Sequence, residues 1–248
     1  MDKVLVTGST GIGGAVAAAL GERAVTVGRS RADLSLLSET VRAAAEAPRR
    51  LDAIVCCAGV FSLRAETTAE GLERSFVLNY LSRFLLVRLL LPRLAPDGRV
   101  VLVAAAGRYP DTLGDARALR GGRGLRISGR TQFANDLFAV ELAARYPGLA
   151  VSCVYPGLVA TRVFRDAHGV PGPLRGILDA AQRRFGADPA VAAEVPVRLA
   201  TGPRLPSGFY GPGGRPLPIP ARVSAARRAE LWAASEDLTS VSRCGVSR

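Results

Sequence analysis

The segment Thr7-Gly8-Ser9-Thr10-Gly11-Ile12-Gly13-Gly14-Ala15 has residue types and spacing suited to holding a phosphate. It follows the apolar run Val4-Leu5-Val6 and leads into a helical stretch, Ala15 to Leu20. Glycines in such a place allow a tight turn and let the backbone approach a pyrophosphate. The helix N-terminus that follows adds free N–H groups and partial positive charge. Gly8, Ser9, Thr10, Gly11, Ile12 and Gly13 are the expected phosphate-facing set. A second apolar run, Ala24 to Val27, ends at Gly28-Arg29-Ser30-Arg31. An acidic residue there would accept from the ribose 2′-OH of NAD. Arg29, followed by Ser30, suits the 2′-phosphate of NADP instead.

Other reactive side chains are sparse. His168 is the only histidine and no CxxC occurs, so no metal site is expected. Cys56 and Cys57 lie in one apolar run and Cys153 in another, which suits buried, reduced thiols; Cys244 is near the C-terminus. Tyr109, Asp111 and Asp115 fall in an irregular stretch after a strand, Tyr155 ends another strand, and His168 sits in a Gly/Pro-rich stretch. These are candidate proton donors if their segments meet at one crevice.

Elements alternate along the chain. Strands are expected at Val4–Val6, Ala24–Val27, Ala53–Cys57, Arg99–Val103 and Ala150–Val154. Helices are expected at Ala15–Leu20, Leu36–Ala47, Glu66–Leu94 and Arg130–Ala144. This order predicts a doubly wound parallel sheet of the Rossmann type, an α/β fold in three α/β/α layers. One domain over residues 1–240 is expected, with 241–248 as a disordered tail. The Gly/Pro-rich stretches Val170–Pro173 and Pro203–Pro220 read as surface loops, the first as a lid over the crevice. Ligands of such sheets lie in the crevice at the C-terminal ends of the strands. Its walls are expected from Ala104–Asp115, Ser128–Gln132, Tyr155–Thr161 and the His168 loop.

The 248 residues carry a net charge of +12. Lys3 is the only lysine, and the arginines are scattered without interleaved aromatics, so the charge reads as coding bias and no nucleic-acid partner is expected. The longest apolar run, Phe84 to Leu91, is interrupted by Arg88 and closed by Pro92, and no signal peptide is read at the N-terminus. A cytoplasmic protein with no membrane partner is therefore expected.

These motifs together resemble the short-chain dehydrogenases/reductases, and within them the retinol-dehydrogenase-like branch. The glycine turn is similar to that family's TGxxxGIG with one residue fewer. Asp33-Leu34 resembles its adenine-contacting pair, although the segment before it is short, as if a helix and a strand were trimmed. Cys56-Cys57-Ala58-Gly59 stands where the family has NNAG, and Asn79 matches its structural and catalytic Asn. Phe133 to Phe138 with Glu141-Leu142-Ala143 resembles the helix after the catalytic Tyr. Tyr155-Pro156-Gly157-Leu158-Val159-Ala160-Thr161 is similar to the turn touching the nicotinamide. Ser207 to Tyr210 and Leu231 to Glu236 resemble the C-terminal segments of the branch. The resemblance implies cofactor contacts from Asp33, Leu34, Ala58, Gly59, Gln132, Pro156, Gly157, Val159 and Thr161, with NADP(H) bound whether or not it is consumed.

The resemblance also implies a Ser-Tyr-Lys set, and here the chain departs. Those positions fall at Ala105, Ser128 and Gln132. A serine hydroxyl is a far poorer proton donor than a phenol, and Gln132 carries no charge. The positions where catalysis is expected are Asn79, Ala105, Ser128, Gln132, Tyr109 and Tyr155. The first functional reading is an atypical enzyme of bacterial specialised metabolism performing a non-redox cyclisation, isomerisation or elimination. Alternatives are an NADPH-dependent reductase with a non-standard proton donor, and a non-catalytic NADP-binding or partner protein. The expected partner is a small hydrophobic substrate, with homo-oligomerisation open. Small Ala and Ser side chains are expected to enlarge the crevice.

Overall fold

Strand β1 (Val4–Thr7) turns Leu5 to one face of the sheet and Val4 and Val6 to the other, as the two-residue period of a strand requires. β3 (Leu51–Cys56) sends Ile54 and Cys56 to the first face, and Ala53 and Val55 to the second. β4 (Leu94–Val103) splits Val100 and Leu102 from Val101 in the same way. Strands apolar on both faces must be covered on both. Helices α2 (Leu37–Ala45), α4 (Ser82–Leu90), α5 (Leu125–Arg145) and α8 (Ala225–Thr239) cover the first face; α1 (Gly11–Leu20) and α7 (Pro189–Thr201) cover the second. The computed structural model describes residues 3–115, 125–161, 163–165 and 167–240. The expected disordered tail, 241–248, and with it Cys244, lies outside the described residues.

With β2 (Ala24–Val27), β5 (Ala150–Val154), β6 (Gly208–Tyr210) and β7 (Pro216–Leu217), the sheet runs in the order β2-β1-β3-β4-β5-β6-β7. All neighbours are parallel except β6 and β7, so the expected parallel sheet ends in one antiparallel edge strand. The order reverses at β1, which puts the switch-point crevice at the C-terminal ends of β1 and β3. One helix, α2, separates β2 from β3, and β2 is the sheet edge, consistent with the short segment before Asp33.

Several element boundaries differ from the sequence reading. α1 starts at Gly11 rather than Ala15, because extended Thr10 serves as its N-cap residue and the glycines form its first turn. Residues 66–73 are not helical. The Glu73 carboxylate accepts from Ser75 N and Phe76 N, which starts the helix at α3 (Arg74–Phe76), and Gly71 upstream has φ +77°. α3 continues through a π turn (Val77–Leu81) into α4. The run Arg74–Arg93 is long and apolar enough to cross a membrane, but 78% of its apolar window is buried inside the protein. The stretch Pro203–Pro220, expected as a loop, contains β6 and β7, and of Val170–Pro173, also expected as a loop, Gly172 and Pro173 open helix α6 (Gly172–Phe185).

The C-terminal helix is tied into the core by aromatic contacts. Trp232 packs edge-on to Phe84 with ring centres 5.1 Å apart, and the Tyr80 hydroxyl meets Ser235 Oγ at 2.7 Å.

Candidate functional site

The turn between β1 and α1 is built for close approach. Gly8 has φ +90°, donates to Val27 O at 2.9 Å, and leaves room for Ala58 N only 3.2 Å from where its Cβ would stand. A Cβ on Gly13 would lie 2.4 Å from Gly8 O, so only glycine fits. Ser9 folds over Gly28 at the end of β2. Thr10 makes no side-chain cap and the first turn of α1 holds no acidic residue, which leaves the dipole end of the helix open to an anion. Ile12 packs against the core under that turn. The Thr7 hydroxyl accepts from Cys57 N at 3.1 Å and Ala58 N at 3.2 Å, fixing the ends of β1 and β3 side by side.

At the end of β2, Arg29 and Ser30 are exposed. Arg31 pairs with Glu46 at 3.4 Å, whereas Arg29 forms no ion pair among the described residues. Asp33 Oδ1 accepts from Ser35 N at 3.0 Å and Ser35 Oγ at 2.7 Å; despite partial burial, these bonds hold its carboxyl below the usual range. Leu34, beside it, is buried in the core.

Across the crevice, Thr161 Cγ2 lies 3.1 Å from a Cβ placed on Gly11, so the turn after β5 touches the glycine turn. Pro156 and Gly157 (φ +84°) begin that turn; Val159 O and Thr161 Oγ1 are both held by Gln182 Nε2, at 2.6 and 3.1 Å. Tyr155, half-buried, carries the Arg108 guanidinium 4.3 Å over its ring.

Asn79 is a structural clamp. Its amide accepts from Val60 N and donates to Val60 O, both at 2.8 Å, and its own carbonyl, within the π turn, accepts from Asn135 Nδ2 at 2.9 Å. Gln132 stands on α5, and its Oε1 is buried with no partner among the described residues. An orphaned acceptor there fits a hydroxyl-bearing ligand.

The region around Ala105 and Ser128 is closed, against the expectation of an enlarged cavity. Both are 4% exposed. The loop after β4 packs on the start of α5: Leu113 is fully buried, and a Cβ on Gly129 would be 2.7 Å from Thr112 Oγ1 and 3.5 Å from Tyr109. Arg222 holds this loop through Tyr109 O (2.9 Å) and Gly107 O, and Arg227 grips Asp111 with two bonds of 2.9 and 3.0 Å. Asp111 is thus committed to an ion pair. His168 Nδ1 meets Glu66 Oε1 at 2.8 Å and its carbonyl accepts from Leu63 N, so its contacts run to the loop after β3. Two shallow depressions, each of about 360–370 Å³, lie elsewhere, one lined by Leu91, Leu94 and Tyr146, the other by Arg165, Arg175 and Asp179.

Two buried charges escaped the sequence reading because each sits inside an apolar run. Arg83 donates to Ala58 O (2.7 Å), Val103 O (2.9 Å) and Asn135 Oδ1 (3.1 Å). Asp136 Oδ2 accepts from Gly107 N at 3.0 Å and its Oδ1 from the Cys153 thiol at 3.6 Å; burial pushes its carboxyl up to about 7. The signal available was a charge at a helix position facing the core. Burial also pushes the Cys56 thiol up to about 11 and Cys57 to about 12, so neither is a nucleophile at neutral pH, and Cys56, Cys57 and Cys153 are unbridged.

No family model matches the chain. Among curated proteins, it is 32% identical, over an alignment of 273 positions, to the "Putative daunorubicin C-13 ketoreductase DnrU" of Streptomyces sp. (strain C5), covering 94% of this chain and 90% of that protein. It is 30% identical to human retinol dehydrogenase 14 over 75% of this chain, and spans 58% of that protein's length. Among solved structures, the 3-alpha-hydroxysteroid dehydrogenase of Pseudomonas sp. B-0831, complexed with NADH, superposes with a TM-score of 0.67 at 22% identity, covering 85% of this chain and 94% of that one. Nucleotide turn, switch point and relatives agree: the chain belongs to the short-chain dehydrogenase/reductase family.

Proposed function

We propose that this protein is an NADP(H)-dependent oxidoreductase that reduces a small, largely apolar substrate bearing a carbonyl or conjugated alkene. The observation that carries this reading is the glycine cradle at the switch point, where a Cβ on Gly13 would strike Gly8 O at 2.4 Å. Gly8 to Gly13 would hold the pyrophosphate, Arg29 the 2′-phosphate, and the buried Gln132 Oε1 would accept from a ribose hydroxyl. When bound, the dinucleotide supplies a hydride. The relatives, named as a ketoreductase and a retinol dehydrogenase, favour reduction over the non-redox step first read from the sequence.

Positions 105, 128 and 132 carry no phenol and no ammonium in this chain. Ser128 is buried, beside Gly129 on which the loop from Tyr109 to Leu113 packs, and Tyr155 is the phenol that directly follows β5. On this reading Tyr155 delivers the proton, with Arg108 stacked on its ring. Removing a general acid costs about 10²–10⁴ in rate. Tyr155→Phe should therefore lower kcat for NADPH-dependent reduction of ketones or enones by that order, with NADPH affinity retained. Full activity in Tyr155→Phe would exclude this donor, and calorimetry detecting no nucleotide binding would remove the oxidoreductase reading.

A further inference from the structure

Arg83 is 5% exposed, and its guanidinium bonds only neutral acceptors: two backbone carbonyls and the Asn135 amide oxygen. Among the described residues its Nε has no partner and it forms no ion pair. Burial lowers the pKa of this guanidinium, but arginine starts so high that it stays protonated at neutral pH, and a positive charge is buried without a carboxylate bonded to it. The nearby Asp136, across Cys153, is an incomplete counter-charge, because its own burial pushes it up to about 7.

The location of this charge matters. Ala58 lies just past the end of β3, and Val103 is the last residue of β4. Arg83 therefore sits beneath the C-terminal ends of two neighbouring strands, on the floor of the crevice. The glycine turn abuts Ala58, since Ala58 N is 3.2 Å from a Cβ on Gly8. In a doubly wound sheet the adenosine ribose of a dinucleotide lies at the end of the second strand. Here that strand is β2, on the opposite side of β1 from β3 and β4. A dinucleotide bound in that way would carry its nicotinamide half toward the ends of β3 and β4, the side on which Arg83 lies. The nicotinamide ring is cationic when oxidised and neutral when reduced.

We infer that Arg83 is a selector of cofactor redox state: its buried charge disfavours the oxidised nicotinamide and so biases the site toward NADPH. This rests on the oxidoreductase reading above. Coulomb's law gives on the order of tenfold in affinity for two unit charges about 10 Å apart at an effective dielectric of about 20. A purely structural staple would affect both cofactor forms alike.

The test is calorimetric titration of the whole protein with NADPH, NADP⁺ and 1,4,5,6-tetrahydro-NADP, a neutral form that donates no hydride. In the wild type, NADPH and the tetrahydro form should bind alike and about tenfold tighter than NADP⁺. Arg83→Met should bring the three affinities together, while Arg83→Lys should keep the preference. Equal binding of all three by the wild type, or an unchanged preference in a folded Arg83→Met, would overturn the inference while leaving the oxidoreductase reading in place. If Arg83→Met does not fold, the wild-type comparison and Arg83→Lys decide: loss of the preference in a folded Lys variant would make it a matter of shape and overturn the role of charge. No binding of any form would instead overturn the parent reading, and this inference with it.

Discussion

Asp136 Oδ2 receives the backbone N–H of Gly107 at 3.0 Å, and so one buried carboxyl on α5 fixes the turn that follows β4. Ala106, beside that glycine, has φ +45°, an uncommon conformation for a residue with a side chain. The bond helps keep the turn in place. Burial raises the Asp136 carboxyl from 3.8 to about 7, with Gly107, Cys153 and Arg222 pulling the other way.

The sign of its linkage follows. The folded protein holds this proton more tightly than the unfolded chain, so the group's contribution is complete below about pH 4 and is lost as pH rises to about 7. At about 1.4 kcal/mol per pH unit, the loss approaches 4 kcal/mol. Asp136→Asn should remove this slope, so the difference in Tm between variant and wild type should move in the variant's favour from pH 4 to pH 7. Parallel Tm curves across that range would show that Asp136 does not titrate there.

Gln132 offers a test in which stability and binding part company. Its Oε1 is buried without a partner among the described residues, and an unsatisfied acceptor costs about 1–3 kcal/mol in the ligand-free protein. Gln132→Leu keeps the volume and discards the orphan. The free variant should melt at the same temperature or higher, while its NADPH affinity falls by about fivefold, the value of one hydrogen bond. A lower Tm with unchanged affinity would make Gln132 a packing residue.

Arg29 decides between the two nicotinamide nucleotides. It is exposed at the end of β2 and uncommitted to any carboxylate among the described residues, unlike Arg31 with Glu46. A charge-assisted bond is worth about 1.5–3 kcal/mol. Arg29→Ala should weaken NADPH about tenfold or more and leave NADH nearly unchanged. Equal losses for both would point to a general effect on the turn.

The doubly wound sheet is legible in the sequence because strand period and helix alternation are local signals, and the apolar run Ala24–Val27 coincides with β2. The glycine turn was legible for the same reason: a positive φ at Gly8 and a forbidden Cβ at Gly13 leave glycine as the residue that fits. What could not be read was long-range. Nothing near Arg83 in sequence says that Ala58 O and Val103 O will converge on it. The packing beside Ser128, at Gly129, depends on Thr112 arriving from the loop after β4, and the fate of Asp111 on Arg227 in the C-terminal helix. Small side chains suggest open space in a sequence, whereas close packing buries both Ala105 and Ser128.

That closure makes position 128 informative. Ser128 Oγ makes no bond recorded among the described residues, although its carbonyl accepts from Thr131 Oγ1 at 2.8 Å. Ser128→Ala should therefore leave both Tm and turnover nearly unchanged, since it removes one hydroxyl and no packing. Ser128→Phe must displace a neighbour from a site that is 4% exposed, and overpacking of this kind costs about 1–3 kcal/mol. The neighbouring loop can give way, held from outside by Arg222 and by the Asp111–Arg227 pair, whose exposure makes it a weak fastening. The Phe variant should thus remain folded with a lower Tm, show faster protease cleavage between residues 109 and 115, and lose turnover. A large loss of kcat in Ser128→Ala, with Tm unchanged, would move the proton-transfer role from Tyr155 to Ser128.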